Sequence, residues 1–255
     1  MNPHRQQIHD QFDPQAQAYL HSAVHAQGPD LQHARQLLHA RLPASARALD
    51  LGCGAGHLSF ALAPLVAELV ALDPAPRMLA TVAAAARERG LEQIRTVEAS
   101  AEALPFADAS FDLVASRYSA HHWRCLKPAL QEARRVLKPG GRLLLIDVLG
   151  AADAIVDTHL QTLELLRDPS HVRNRSAAQW QALLDALGYE REDEVQWPLR
   201  LEFASWVARM RTPPARVALL RELQQAAPSE VKDGLCFEAD GSFTVTTGLF
   251  LARRG

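Results

Sequence analysis

Apolar residues between positions 46 and 150 follow two alternating rhythms. Runs of strand length at 47–51, 65–72, 94–97, 111–117 and 143–147 are separated by stretches in which apolar residues return every three or four positions, as on helices with one buried face. Leu58, Ala61, Leu62 and Leu65 mark one such helix and 75–90 a second, closed by Gly90. A third runs over 126–137, where Pro139 should end it and Gly140-Gly141 should turn the chain into the fifth strand. The alternation predicts a Rossmann-like, doubly wound α/β sandwich with helices on both faces of the sheet.

The flanks carry helices of their own. Phe12, Ala16 and Tyr19 form an i, i+4, i+7 stripe on an N-terminal arm, and after the Gly28-Pro29-Asp30 break a helix is expected over 31–42, stopped by Pro43. Beyond the core come a helix over 153–166, a polar loop at 167–173, a helix completed at 183–188 and a strand over 190–197. A helical stretch over 201–228, interrupted by Pro213-Pro214, precedes a closing strand over 243–253. The chain thus divides into a helical arm at 1–45, a core at 46–150, and a second half of the same domain at 151–255. Candidate substrate-cap helices fall at about 151–175 and 201–230; the Phe203, Trp206, Val207, Met210 face within them reads more readily as core than as a pocket roof.

Composition narrows the function. The 255 residues, 48% apolar and 22% charged, suit one well-buried domain with an appended piece. A net charge of −2 without a basic run gives no footprint for nucleic acid. Cys53, Cys125 and Cys236 lie far apart without C-x-x-C spacing, which argues against a disulfide framework and a zinc site. His21 and His25 share metal-ligand spacing, but a neighbouring Glu and a third ligand are missing, so no metal is expected. A polar N-terminus and the lack of any long apolar stretch predict neither a signal peptide nor a membrane span, and hence a cytoplasmic protein.

The chemistry concentrates where the first strand ends, at Asp50-Leu51-Gly52-Cys53-Gly54-Ala55-Gly56. Gly52, Gly54 and Gly56 let backbone reach φ > 0 and approach a ligand across the strand ends. A dinucleotide fingerprint needs its third glycine at position 57, which is His57, and no P-loop lysine follows. Asp73, ending the second strand, is placed to accept from the ribose hydroxyls of an adenosyl group, or to cap a helix opened by Pro74. Tyr118-Ser119-Ala120-His121-His122-Trp123 follows the fourth strand; His121 or His122 is a candidate base, and a structural role for each stays open.

Asp50 with the G-x-G-x-G spacing resembles motif I of the class I S-adenosylmethionine (SAM) dependent methyltransferases. Three further segments resemble the ubiquinone- and menaquinone-biosynthesis-like (type 11) members: Glu98-Ala99-Ser100-Ala101-Glu102-Ala103-Leu104-Pro105-Phe106, the Phe111-Asp112-Leu113-Val114 strand, and Arg134-Arg135-Val136-Leu137-Lys138-Pro139-Gly140-Gly141. The likeness extends over about residues 10 to 150. It implies a mixed seven-stranded sheet with an antiparallel last strand and SAM as cofactor. Asp50, Gly52, Cys53, Gly54 and Gly56 would lie about the methionine end, Asp73 on ribose, and Ser100, Ala101 and Glu102 at adenine. His121 would sit beside the departing methyl, Arg117 and Tyr118 would line the cleft, and Tyr19 would belong to a lid. The family's Gly-Asp is replaced here by Ala99-Ser100, so the adenine contact passes to the Ser100 hydroxyl, the Ala101 backbone or water. Asp112 reads as structural.

The implied activity is methyl transfer to a small-molecule acceptor, planar or apolar as a quinol precursor is. A non-catalytic SAM-binding protein and an NAD(P)-dependent oxidoreductase stay open as alternatives, as does a homodimer.

Overall fold

The computed structural model describes residues 3–15, 20 and 28–255. Tyr19, Ala16, His21 and His25 lie outside them. In chain order the elements are α1 (Pro3–Phe12), α2 (Pro29–His39), β1 (Arg47–Leu51), α3 (His57–Leu62), β2 (Glu68–Asp73), α4 (Pro76–Glu88), β3 (Ile94–Glu98) and β4 (Phe111–Arg117). They continue as α5 (Leu126–Val136), β5 (Leu137–Val148), α6 (Ala154–Arg167), α7 (Ala177–Ala186), β6 (Tyr189–Leu201), α8 (Phe203–Arg209), α9 (Pro214–Ala226), α10 (Ser229–Gly234) and β7 (Phe243–Arg254).

The strands form one seven-stranded sheet in the order β3-β2-β1-β4-β5-β7-β6. β1 to β5 run parallel, and β7 lies antiparallel between β5 and β6. From β1 the chain builds outward through β2 to β3, then crosses back to lay β4 on the other side of β1. The strand order reverses there, and connections leaving the carboxyl ends of β1 and β4 diverge, opening a crevice.

Burial on both faces explains the near-continuous apolar strands. Alternate residues feed opposite cores. Leu49, Leu51, Val70, Val114 and Leu145 pack with Phe111, Leu130 and Trp180 on one face, whereas Ala48, Leu69, Leu113 and Leu144 pack with Leu58, Leu62 and Leu38 on the other. A separate core beneath the C-terminal helices joins Phe203 and Trp206, each 1% exposed, to Leu160, Val231 and Phe243. The aromatic face of α8 is therefore core. Among the described residues no helix is long and apolar enough to cross a membrane.

Several boundaries differ from expectation for identifiable reasons. Pro139 does not end a helix: α5 stops at Val136 and the chain enters β5 at Leu137, which pairs with Phe111 before the register skips to Leu113 and Arg142. Proline and two glycines are tolerated because they sit in that bulge, off the ladder. Asp73 does not cap α4, which begins at Pro76 after Ala75; its Oδ1 instead accepts the Ala75 amide at 2.9 Å. The run at 65–72 opens with a 3-10 turn over Ala63–Leu65, and Leu201 belongs to β6. Asp112 is structural, its carboxylate accepting from the Arg47 amide at 2.9 Å and from Lys138 Nζ at 2.8 Å.

Candidate active site

The crevice between β1 and β4 holds a cavity of about 520 Å³. Asp50, Gly52, Cys53 and Gly54 from the β1–α3 corner form its floor, Asp73 lies beside them at the end of β2, and Ser100, Ala101 and Glu102 make one end. Arg117, the last residue of β4, with Tyr118 and His122 after it, form the other. Gly56 and His121 are not among the lining residues.

The three glycines have three different causes. All have positive φ, at 68°, 50° and 89°, where a Cβ is strained. At Gly52 a Cβ would also lie 1.8 Å from Ser119 Oγ, and at Gly56 2.8 Å from Phe60 Cζ, so the protein's own side chains occupy that space. Only around Gly54, of these three, is nothing within 4 Å, and it faces the cavity. Internal packing therefore accounts for Gly52 and Gly56, while Gly54 leaves its backbone open toward the cavity.

Two carboxylates are buried in the floor. Asp73 Oδ2 accepts the Gly54 amide at 2.9 Å, which ties the loop to β2. Asp50 Oδ2 accepts from Ser59 Oγ at 2.6 Å, while its Oδ1 is buried without a partner. Burial pushes both pKa values up, Asp50 to about 7 and Asp73 to about 6, because a charge out of water lacks hydration. A buried carboxylate oxygen without a donor costs free energy until one arrives. Burial likewise raises the Cys53 thiol, leaving it an uncharged wall.

At the far end Ser100 donates its hydroxyl to Glu102, whose other oxygen lies 3.4 Å from the Cys125 amide. Glu102 is thus the carboxylate of that corner, two residues beyond Ser100. Across the cavity, Arg117 is paired with Asp30 of α2, both side chains 4% exposed, and its guanidinium stacks 4.5 Å from the Tyr118 ring. Tyr118 has φ of 51°, a conformation rare outside glycine, and its amide bonds Ile146 O at 2.8 Å. Burial, with Asp30 adding to it, pushes the Tyr118 phenol up to about 12.

The two histidines diverge. His121 is turned toward Asp147, its Nδ1 2.5 Å from Oδ1 and its amide donating to Oδ2 at 3.1 Å. Burial lowers its proton affinity, but the charge and hydrogen bond of Asp147 outweigh that and hold the pKa above the ordinary value. His122 lines the cavity, with Nδ1 3.2 Å from Ser170 O and Nε2 3.9 Å from Asp168 Oδ2. Its pKa is lowered, by burial first and then by the neighbouring His121 charge. His171 packs behind them and is brought down to about 2, again mainly by burial.

Residues of α1 also wall the cavity: His4, Ile8 and Phe12, one helical turn apart, with the Phe12 ring 5.1 Å from His122 and His4 Nε2 2.8 Å from His122 O. Sequence reasoning used only Phe12, although the 4/8/12 spacing was its available signal. It also missed Trp123, whose indole donates to Ser119 Oγ at 3.2 Å, and Asp30, for which the sequence offers no signal. No residue of 151–175 or 201–230 lines the cavity; Asp168 and Ser170 reach it by way of His122.

A crevice at the reversal of a parallel sheet, floored by a glycine loop and by acids near the ends of its first two strands, is the place where an open α/β sheet binds its ligand. The comparisons carry this to a family. The methyltransferase domain family model matches residues 49–145. The chain is 46% identical over 193 residues to the uncharacterized protein YafE of Escherichia coli, covering 76% of this chain and 93% of that one. It is 37% identical to the uncharacterized methyltransferase YcgJ of Bacillus subtilis, over 88% of each. The solved structure of BH2331 from Bacillus halodurans superposes with a TM-score of 0.83 at 31% identity, covering 89% of this chain and 99% of that one. The chain belongs to the SAM-dependent methyltransferases of this methyltransferase-domain family.

The residues present fit the cofactor. Asp50 Oδ1, buried and unpartnered, suits a cationic N–H donor, Gly54 offers an open backbone surface, and the Asp73 carboxylate on the same floor is of the type that accepts from ribose hydroxyls.

Proposed function

We propose that the protein methylates a small molecule held between the β1–β4 crevice and α1. The observation that carries this reading is the continuity of the cavity, which runs from Ser100 and Glu102 past Gly54 to His122, Phe12 and Ile8 and so has room beyond the cofactor's own contacts. In this assignment Glu102 and the Ala101 backbone hold adenine, Asp73 the ribose, and Asp50, Gly52 and Gly54 the methionine end. When bound, SAM supplies a methyl group already activated by its sulfonium charge. The protein's part is to aim the acceptor and exclude water, and positioning of that kind can be worth ~7–11 kcal/mol.

His122 serves as a wall rather than a base. Its nitrogens are turned toward Ser170 and Asp168, and a lowered pKa weakens it as a proton acceptor. His121, held on Asp147, fixes the loop that carries His122. Ile8 and Phe12 favour an acceptor with an apolar or planar face, as a quinol precursor has. Free Cys53, Cys125 and Cys236 suit work in a reducing compartment.

The test is production of S-adenosylhomocysteine (SAH) from SAM across a panel of hydroquinones and other small hydroxylated and aminated aromatics. An active acceptor should lose efficiency in Phe12→Ala mainly through KM, while His122→Asn keeps kcat within about tenfold, since general-base removal typically costs 10²–10⁴. Failure of every panel member would reject the quinol-like acceptor; a collapse of kcat in His122→Asn would restore the base.

A further inference from the structure

α1 is strapped across the crevice from the β4 side to the β2 side. Near its start His4 Nε2 donates to His122 O at 2.8 Å, and just past its end Asp13 Oδ1 accepts the Arg77 amide at 3.1 Å. Phe12 packs against Ala55, Ala75 and Met78, so the helix finishes over the turn that joins β2 to α4. His9 stands four residues before Asp13 and three before Phe12, and therefore on the side of α1 that meets this turn.

His9 is half-buried, and its Nε2 is buried without a hydrogen-bond partner among the described residues. Such nitrogens are uncommon in folded proteins, because an imidazole out of water still needs its donor or acceptor met. The group within its electrostatic reach is Asp73. Burial raises that carboxyl first of all and the Ala75 and Gly54 amides oppose the rise; of the neighbouring charges, Asp13 adds to it and His9 works against it. The two oxygens of Asp73 each accept one amide, at 2.9 Å, and each keeps a lone pair for a further donor.

A ribose hydroxyl that donates its proton to a carboxylate still carries lone pairs of its own and takes an N–H donor beside it. We propose that His9 is the second ribose contact of the cofactor site, its Nε2–H donating to a hydroxyl whose proton Asp73 accepts. This rests on the methyltransferase reading and adds to it a residue of α1. Ile8 and Phe12, which line the cavity, belong to the same helix, so a cofactor held by His9 also steadies the wall that the acceptor meets.

The experiment is calorimetric titration of SAH, and of its 2′-deoxy and 3′-deoxy counterparts, into the full chain as wild type, His9→Phe and His9→Gln. Melting of the unliganded proteins verifies folding; His9→Phe keeps a ring in place and removes a nitrogen that had no partner, so it should melt no lower than wild type. The expected result is SAH binding about three- to tenfold weaker in His9→Phe, the range of one hydrogen bond, with most of the affinity regained by the amide N–H of His9→Gln. One of the two deoxy ligands should bind wild type and His9→Phe alike, because the hydroxyl that His9 meets is gone. Equal SAH affinity in wild type and His9→Phe overturns the contact and leaves the cofactor reading intact. An equal loss for SAH and both deoxy ligands assigns His9 to packing and overturns the contact as well. Wild type that binds no SAH overturns the methyltransferase reading, and the contact with it.

Discussion

Arg117 and Asp30 form a buried ion pair across 87 residues of chain, joining the end of β4 to the first turn of α2 beside the cofactor cavity. Two charges removed from water are tolerable only together. Asp30→Ala is therefore expected to destabilise the protein by about 3–5 kcal/mol, because it removes the carboxylate that compensates a buried guanidinium. Replacing both residues by apolar side chains of similar volume should recover much of the loss. Urea denaturation of the single and double variants measures this; a single variant within about 1 kcal/mol of wild type would mean that the pair is solvated.

The glycine loop separates packing from binding. Gly52→Ala places a methyl group against Ser119 Oγ and should lower stability by more than Gly54→Ala, which bears only the backbone cost of roughly 1–2 kcal/mol. Gly54→Ala should instead weaken SAH, since its methyl enters the cavity. Melting curves with and without SAH distinguish the two, and equal losses of stability would contradict the assignment.

The histidine cluster gives two pH signatures of opposite sign. The raised pKa of His121 contributes stability that is present in full below the unfolded value of about 6.5 and is lost as pH rises through the folded value. Asp147→Asn removes that contribution, so its destabilisation should be larger at pH 6 than at pH 9. His171, buried neutral with a lowered pKa, acts the other way. Below about pH 6.5 the unfolded chain takes up a proton that the folded protein refuses, costing at most ~1.4 kcal/mol per pH unit. His171→Gln should therefore lose less stability than wild type between pH 6.5 and 4. Parallel pH profiles for either variant and wild type would show that the group titrates alike in both states.

Much of this site could be seen in the chain because local rules govern it. Strand periodicity located β1, β2 and β4, and the Asp50 to Gly56 spacing and Asp73 mark the carboxyl ends where a parallel sheet binds ligands. The antiparallel last strand came from family likeness, whereas its place between β5 and β6 is given only by the fold, since periodicity carries no strand order. Contacts made by tertiary packing left no local trace: Asp30 reads as an ordinary first-turn acid, and nothing near Ser100 announces that Glu102 takes its hydroxyl. Gly52 and Gly56 were legible as glycines but not in their cause, because Ser119 and Phe60 fill the space beside them only after folding. Pro139 misled through a bulge, where a helix breaker sits harmlessly at the entrance to a strand.

The central claim is that the β1–β4 crevice binds SAM through Asp73. Calorimetric titration of SAM and SAH into wild type and Asp73→Ala tests it directly. Binding by wild type that weakens about 10- to 150-fold in the variant, the equivalent of ~1.5–3 kcal/mol for hydrogen bonds to a charged group, is the expected result. Absence of heat with either ligand, or equal affinity in both proteins, would contradict it.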